Sequence, residues 1–294
     1  MLEQNISQLT TLSNLIRMSL EEDKAFDDVT SDLTIDPAAS IAFKISARED
    51  LIFCGADVIN EAFLQLQNSA KFFQQKISYK ILFKDGDLVK KHSAIVEGFG
   101  HAKMIFAAER VILNFIQHLS SIASHVNLFV RNLDNHKIKI LDTRKTIPML
   151  RELQKYAVRC GGAYNHRFDL AQMILIKDNH IASCDGVGNA LKRVIEARNN
   201  LKVEIECDDQ SQVIEAIKYS PDVIMLDNMS IDDLQKNIAL IRRHPHKILI
   251  EVSGGVNLDN IKNFRNLDID FISIGSLTNS IKIVDIGLDI PKTF

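Results

Sequence analysis

KVEIECDDQSQVIEAIKYSPDVIMLD, residues 202–227, decides how the second half of this chain folds. Lys202–Ile205 and Asp222–Leu226 are short apolar runs of strand type, and the stretch between them suits a helix. Each run leads into a carboxylate, Glu206 in the first case and Asp227 in the second. The rhythm continues on both sides. Lys137–Leu141 and Met173–Ile176 come before, Lys247–Val252 and Asp270–Ile274 after, with helix-compatible segments between them. Strands alternating with helices predict a parallel sheet, and six units predict a closed or nearly closed barrel. The residues following the runs are Asp142, Lys177, Glu206, Asp227, Ser253 and Gly275, spaced 35, 29, 21, 26 and 22 apart. In such barrels the strand C-termini share one mouth, where the chemistry collects. These six positions are therefore expected around one pocket.

Upstream the pattern changes. Residues 5–22 have helical spacing, Ile41–Ala47 alternates like a strand, Leu51–Cys54 is a short second strand, and Gly55–Gln67 is helical again. Lys76–Phe83 and Ser93–Phe99 read as hairpin partners around the turn signal Lys84-Asp85-Gly86-Asp87. From Ala102 to about Leu133 a long helix without Pro or Gly is expected as a connector. The boundary is placed near residue 117, giving a domain of residues 1–117 and a barrel domain of residues 118–294.

Composition narrows the function. The chain is 46% apolar and 25% charged, which suits a folded protein, and its net charge of −3 gives no basic field for general nucleic-acid binding. Four Cys, at 54, 160, 184 and 207, form no C-x-x-C pair, so a zinc ribbon or dithiol motif is not indicated and a reducing compartment is. The first residues lack a signal-peptide pattern, and no apolar run approaches the ~18 residues of a membrane helix, so a cytoplasmic protein is expected. Gly186-Val187-Gly188 lacks the third Gly and the preceding strand of a dinucleotide fingerprint.

The polar residues at the predicted mouth are mostly cationic. Arg144, Lys145, His166 and Arg167 lie in the segment 141–167, Lys177 ends an apolar run, and Arg110 lies on the long helix. Arg grips carboxylate or phosphate through paired N–H bonds and Lys adds a point charge, so a multiply charged anion is the expected ligand. An inward Lys177 needs an anionic partner. Glu206 and Asp227 could hold Mg²⁺ with substrate oxygens, stabilise a developing cation, or pair with Lys177. Ser253-Gly254-Gly255 and Gly275-Ser276 follow the last two strands, where barrels bind phosphate through backbone N–H groups. Cys160 reads as a small packing residue.

DTRKT at 142–146, YAVRCGG at 156–162, NHR at 165–167, LIKDNH at 175–180, VEIEC at 203–207, MLDN at 225–228, SGG at 253–255 and ISIGSLT at 272–278, with ER-x-x-LNF at 109–115, together resemble the quinolinate phosphoribosyltransferase family. The resemblance covers most of the chain. It implies an N-terminal α/β sandwich and a C-terminal, incompletely closed α/β (TIM-like) barrel. It further implies the conversion of quinolinate and phosphoribosyl pyrophosphate to nicotinate mononucleotide, CO₂ and pyrophosphate, with Mg²⁺, in a dimer or an assembly of dimers.

Carried over by position, Arg144, His166, Arg167 and Lys177 would surround quinolinate and the reacting ribose, and Arg110 would reach a partner subunit's quinolinate site. Lys145 and Lys177 would face the diphosphate. Glu206 and Asp227 would face the ribose hydroxyls and the metal, directly or through substrate or water. Lys145, Lys177, Glu206 and Asp227 would form the catalytic group. Ser253, Gly254, Gly255, Gly275 and Ser276 would bind the 5′-phosphate. The sequence departs from the family where Asn279 stands for a common His, His118 for a usual Arg, and Phe26–Thr30 lacks a frequent Gly. Three other readings stay open: a nicotinate-using phosphoribosyltransferase, a Schiff-base aldolase with Lys177 as nucleophile, and a non-catalytic anion binder.

Overall fold

The computed structural model describes residues 12–197 and 200–291. Two compact units divide the chain, and each draws on more than one segment. The first holds Met1–Asn127, Glu152–Gly162 and Ser280–Phe294, the second Leu128–Arg151 and Ala163–Asn279. A single cut near residue 117 does not describe this division, because the helix Arg151–Cys160 and the C-terminal segment fall in the first unit.

The first unit contains a four-stranded antiparallel sheet. Strands β1 (Ser40–Ala47), β3 (Ile77–Ile81), β5 (Ala94–His101) and β12 (Ile286–Asp289) are ordered β12-β1-β5-β3. The hairpin partners expected from the sequence do pair, Tyr79 opposite Gly98. Between them lies β4 (Leu88–Val89), which pairs with β2 (Leu51–Ile52) as a separate ribbon. The helix Ala56–Gln67 buries Val58, Ile59, Ala62, Phe63 and Leu66, and Phe63 packs its ring 6.0 Å from Phe43 of β1 and 4.9 Å from Tyr79 of β3. Gly98 is required here, since a Cβ would lie 2.5 Å from the Phe43 ring. The long helix spans Ala102–Leu133 as predicted, and its Ser120 and Ser124 hydroxyls accept from Cys54 N and Ile52 N. The predicted N-terminal helix occupies Leu12–Glu22, and residues 5–11 of that expectation lie outside the described residues.

The second unit is a six-stranded parallel sheet. It comprises β6 (Lys139–Leu141), β7 (Ile174–Ile176), β8 (Val203–Cys207), β9 (Val223–Asp227), β10 (Leu249–Ser253) and β11 (Phe271–Ser273), in the order β6-β11-β10-β9-β8-β7. The barrel does not close, because β6 and β7 are its two edges. Residues around Tyr164 take the free edge of β6 instead. Tyr164 N donates to Ile140 O and Asp142 N to Tyr164 O, which satisfies ladder groups that closure would have used.

Strand periodicity then sorts the side chains. In β8, Val203, Ile205 and Cys207 share one face, and Glu204 and Glu206 share the other. In β10, Glu251 and Ser253 lie on one face and Ile250 and Val252 on the opposite one. No helix among the described residues is long and apolar enough to cross a membrane.

Candidate active site

A cavity of about 310 Å³ opens at the C-terminal ends of the parallel strands. It is lined by Thr143, Arg144, Lys145, His166, Arg167, Leu175, Lys177, Met225, Ser253 and Ser273. Six predicted residues, Arg144, Lys145, His166, Arg167, Lys177 and Ser253, thus come together, and four of them are cations. The volume suits a small molecule. Arg144 Nε is buried and has no acceptor among the described residues. Arg167 is 8% exposed and donates from Nη1 to Met173 O at 3.1 Å. Burial and the neighbouring Arg144 push its guanidinium below the usual value.

The loop carrying His166 is held from below by Asp142, which is fully buried. Its carboxylate accepts His166 N at 2.9 Å and Asn165 Nδ2 at 2.5 Å. The imidazole is engaged at both nitrogens. Nδ1 accepts Arg167 N at 2.7 Å, and Nε2 lies 3.2 Å from Glu204 Oε2. His166 therefore lines the cavity as a fixed wall.

Glu206 and Asp227 stand at the rim. Glu206, itself buried, pairs with Lys177, whose side chain lines the cavity but stays close to half exposed, so the pair is not the buried ion pair that an inward Lys would need. Oxygens of Glu206, Asp208 and Asp227 lie within 4.8 Å of one another. Asp208 lies one residue past the end of β8, outside the strand-end positions picked out by the sequence rhythm. Burial and the charge of Asp227 raise its carboxyl above the usual range, the physical mark of crowded carboxylates. Hard oxygen donors so grouped fit Mg²⁺, which takes carboxylates together with phosphate oxygens.

Ser253, the last residue of β10, pairs in register with Asp227. Gly254 and Gly255 follow with φ of +86° and +65°, a conformation that favours glycine. Gly275 precedes the short helix Ser276–Asn279, and a Cβ on it would lie 3.0 Å from Lys145 Cδ. Thr278 Oγ1 donates to Lys145 O, so this turn and the lysine are tied together. Arg110 is exposed on the helix Ala102–Leu133, in the first unit. His118 hydrogen-bonds Gln154 across 2.9 Å, and burial pushes its imidazole below the usual value, so the substitution for Arg leaves a neutral ring.

Folding also joins cysteines that the sequence separates. Cys54, Cys160 and Asp85 place ligand atoms within 4.8 Å of one another in the first unit. Asp85 is already occupied. Oδ1 accepts Gly55 N and Ala56 N at the start of the helix Ala56–Gln67, and Oδ2 accepts the Tyr156 hydroxyl.

An open β/α barrel whose mouth gathers four cations beside three carboxylates defines an enzyme class that handles small polyanions. Comparison with known proteins narrows that class. The family model "Quinolinate phosphoribosyl transferase, C-terminal domain" matches residues 122–289, and the corresponding N-terminal domain model matches residues 28–120. A Bacillus subtilis protein named "Probable nicotinate-nucleotide pyrophosphorylase [carboxylating]" is 41% identical, covering 95% of this chain and 93% of its own. A Mycobacterium leprae protein named "Nicotinate-nucleotide pyrophosphorylase [carboxylating]" is 35% identical over 94% of this chain and 95% of its own. The crystal structure of nicotinate-nucleotide pyrophosphorylase from Ehrlichia chaffeensis superimposes with a TM-score of 0.88 at 39% identity, covering 99% of this chain and 100% of that one. The chain belongs to the quinolinate phosphoribosyl transferase family.

Proposed function

We propose that this chain joins the ring nitrogen of quinolinate to C1 of phosphoribosyl pyrophosphate and releases pyrophosphate and CO₂, leaving nicotinate mononucleotide, a step of de novo NAD biosynthesis. The observation that carries this reading is the gathering of four cations around one cavity. Arg144, Lys145, Arg167 and Lys177 line that space, and Arg144 Nε is buried without an acceptor among the described residues. A buried donor left unmade costs about 1–3 kcal/mol, which a ligand carboxylate returns.

Arg144 and Arg167 grip the two carboxylates of the pyridine. Lys145 and Lys177 face the diphosphate. Ser253, Gly254, Gly255, Gly275 and Ser276 take the 5′-phosphate through backbone N–H groups and hydroxyls. The nitrogen lone pair forms the N–C1 bond as the C1–O bond to diphosphate breaks. Positive charge builds on the ribose, near Glu206 and Asp227. The C2–carboxyl bond then breaks, CO₂ leaves, and the electron pair stays beside the cationic nitrogen until a proton replaces it.

Glu206, Asp208 and Asp227 would hold Mg²⁺ directly or through water. When bound, the ion supplies positive charge to offset that of the leaving diphosphate. Arg110, exposed on its helix, would reach the diacid site of a second copy in a dimer. Four free thiols support a cytoplasmic setting. Against the aldolase reading stands the Lys177–Glu206 ion pair, which occupies the amine that would have to attack a carbonyl. Against a mono-acid substrate stands the presence of two guanidiniums in one cavity.

Release of CO₂ from carboxyl-labelled quinolinate tests the proposal. Release is expected only when phosphoribosyl pyrophosphate and Mg²⁺ are present. Arg144→Ala should lower kcat/KM by roughly 100-fold or more, from two charge-assisted bonds at about 1.5–3 kcal/mol each. No release under these conditions rejects the reading, and turnover of nicotinate at an equal rate selects the mono-acid alternative.

A further inference from the structure

Cys54, Cys160 and Asp85 form a cluster in the first unit that the proposed reaction does not use. Their two Sγ atoms and a carboxylate oxygen lie within 4.8 Å of one another. Cys54, two residues past β2, is fully buried. Cys160 and Asp85 are half-buried and give the cluster its path to solvent.

Each of the three groups is held by the backbone around it. Phe53 N donates to Asp87 O at 2.9 Å and Gly86 N to Phe53 O at 2.8 Å, which sets Cys54 beside the turn that carries Asp85. Cys54 N is anchored in turn on Ser120 Oγ at 3.0 Å. Tyr156 and Cys160 lie four residues apart on the helix Arg151–Cys160 and so share a face. Just past that helix, a Cβ on Gly161 would lie 2.5 Å from Val126 Cβ and 2.6 Å from Ala123 O, so Cys160 is seated where the helix approaches Ala102–Leu133 most closely. A carboxylate offers about four acceptor positions. Asp85 uses three, for Gly55 N at 2.8 Å, Ala56 N at 3.0 Å and the Tyr156 hydroxyl at 2.8 Å. A metal-binding carboxylate is held in this way, by outer hydrogen bonds that fix its direction.

Two chemistries can join a pair of thiols. A disulfide needs the sulfurs about 2 Å apart and a thiolate to attack. Burial pushes the Cys54 thiol well up, and Cys160 and the charge of Asp85 add to the shift, which disfavours that attack. A bridging cation needs sulfurs only on the order of 4 Å apart, each about 2.3 Å from zinc. It also expels the thiol protons by its own charge.

We propose that Cys54, Cys160 and Asp85 form a binding site for a thiophilic divalent cation of the Zn²⁺ kind. Two Zn–S bonds and one Zn–O bond form, the two thiol protons pass to solvent, and water takes the fourth tetrahedral position. The ligands exceed the ion by one negative charge. Arg159, whose guanidinium lies 5.4 Å from the Tyr156 ring centroid, is the neighbouring cation that offsets it. Thiolates select such an ion over Mg²⁺, which prefers oxygen alone. The bound ion ties the exit of β2, the turn 84–87 and the end of the helix Arg151–Cys160 together.

The full-length enzyme, reduced and stripped of metal, is titrated with Zn²⁺ against a chromophoric chelator, with excess Mg²⁺ present. Wild type should bind one thiol-dependent ion at about 1 μM or tighter. Tyr156→Phe, which removes an outer hydrogen bond, should weaken binding by about 10-fold, and Cys54→Ser and Cys160→Ser, which remove ligands, by about 100-fold or more. Cys184→Ser should leave it unchanged. X-ray absorption at the zinc edge of loaded wild type should show two sulfur neighbours.

Wild-type affinity in the Cys54→Ser/Cys160→Ser double variant would overturn the proposal, as would a zinc shell without sulfur. So would wild-type protein that takes up no Zn²⁺, whether or not oxidation joins the two thiols. The absorption measurement needs wild type alone, so it decides the matter even where a variant does not fold. None of these readouts depends on turnover of quinolinate.

Discussion

Gly254 and Gly255 are adjacent, and both have positive φ, yet alanine should cost very different amounts at the two positions. At Gly255 nothing lies within 4 Å of an added Cβ, so the cost is the left-handed backbone alone, about 1–2 kcal/mol. At Gly254 the same methyl group would sit 2.2 Å from Asn228 Oδ1, 2.5 Å from Asn228 Cγ and 2.7 Å from Asn228 N. Backbone cannot yield as a flexible side chain does, and overpacking of this kind adds about 1–3 kcal/mol. Asn228 is also tied in place. Its N–H donates to Ser253 O at 2.9 Å, and its Nδ2 donates to Asp227 Oδ2 at 2.5 Å. Displacing it forfeits about 1 kcal/mol more and moves a rim carboxylate.

Gly254→Ala should therefore cost about 3–6 kcal/mol against about 1–2 for Gly255→Ala. At about 2–4 °C per kcal/mol, the first variant should melt at least about 4 °C below the second. Thermal unfolding followed by circular dichroism reads this difference, and steady-state kinetics should show a fall in kcat for Gly254→Ala as Asp227 shifts. Equal melting temperatures with equal kcat would show that the Asn228 contact does not brace the mouth.

Two further outcomes follow from the charge distribution. Asp208→Asn should raise the Mg²⁺ concentration for half-maximal rate by about tenfold, roughly 1.4 kcal/mol, while rates recover at saturating Mg²⁺; an unchanged Mg²⁺ titration would remove Asp208 from the ion's site. Burial pushes the Cys207 thiol up to about 12, whereas an unfolded thiol ionises near 9, so above that pH the unfolded state binds fewer protons and stability falls as pH rises from about 9 toward 12. Denaturant melts across that window should show a shallower decline in Cys207→Ala, by up to one proton's worth of slope, and identical slopes would contradict the burial argument.

The strands of the barrel, the helix Ala102–Leu133 and the convergence of Arg144, Lys145, His166, Arg167, Lys177 and Ser253 were legible in the sequence. Each follows from local periodicity and from the rule that parallel strand ends share a rim. Glu204 and Glu251 were legible in principle. Each lies two residues before an assigned position, Glu206 and Ser253, and period-2 alternation puts both members of each pair on one face. Asp208, just past the strand, lay beyond that rule.

Other features are matters of long-range pairing, on which local pattern is silent. β12 pairs with β1 across more than two hundred residues, the helix Arg151–Cys160 belongs to the first unit, and Tyr164 takes the edge of β6 that would have closed the barrel. By itself the sequence determined which segments become strands and helices and which residues sit at strand ends, because those depend on neighbours a few positions away. The tertiary structure alone decided which carboxylates and which cations come to lie close together, because desolvation and Coulomb energy depend on distance in space.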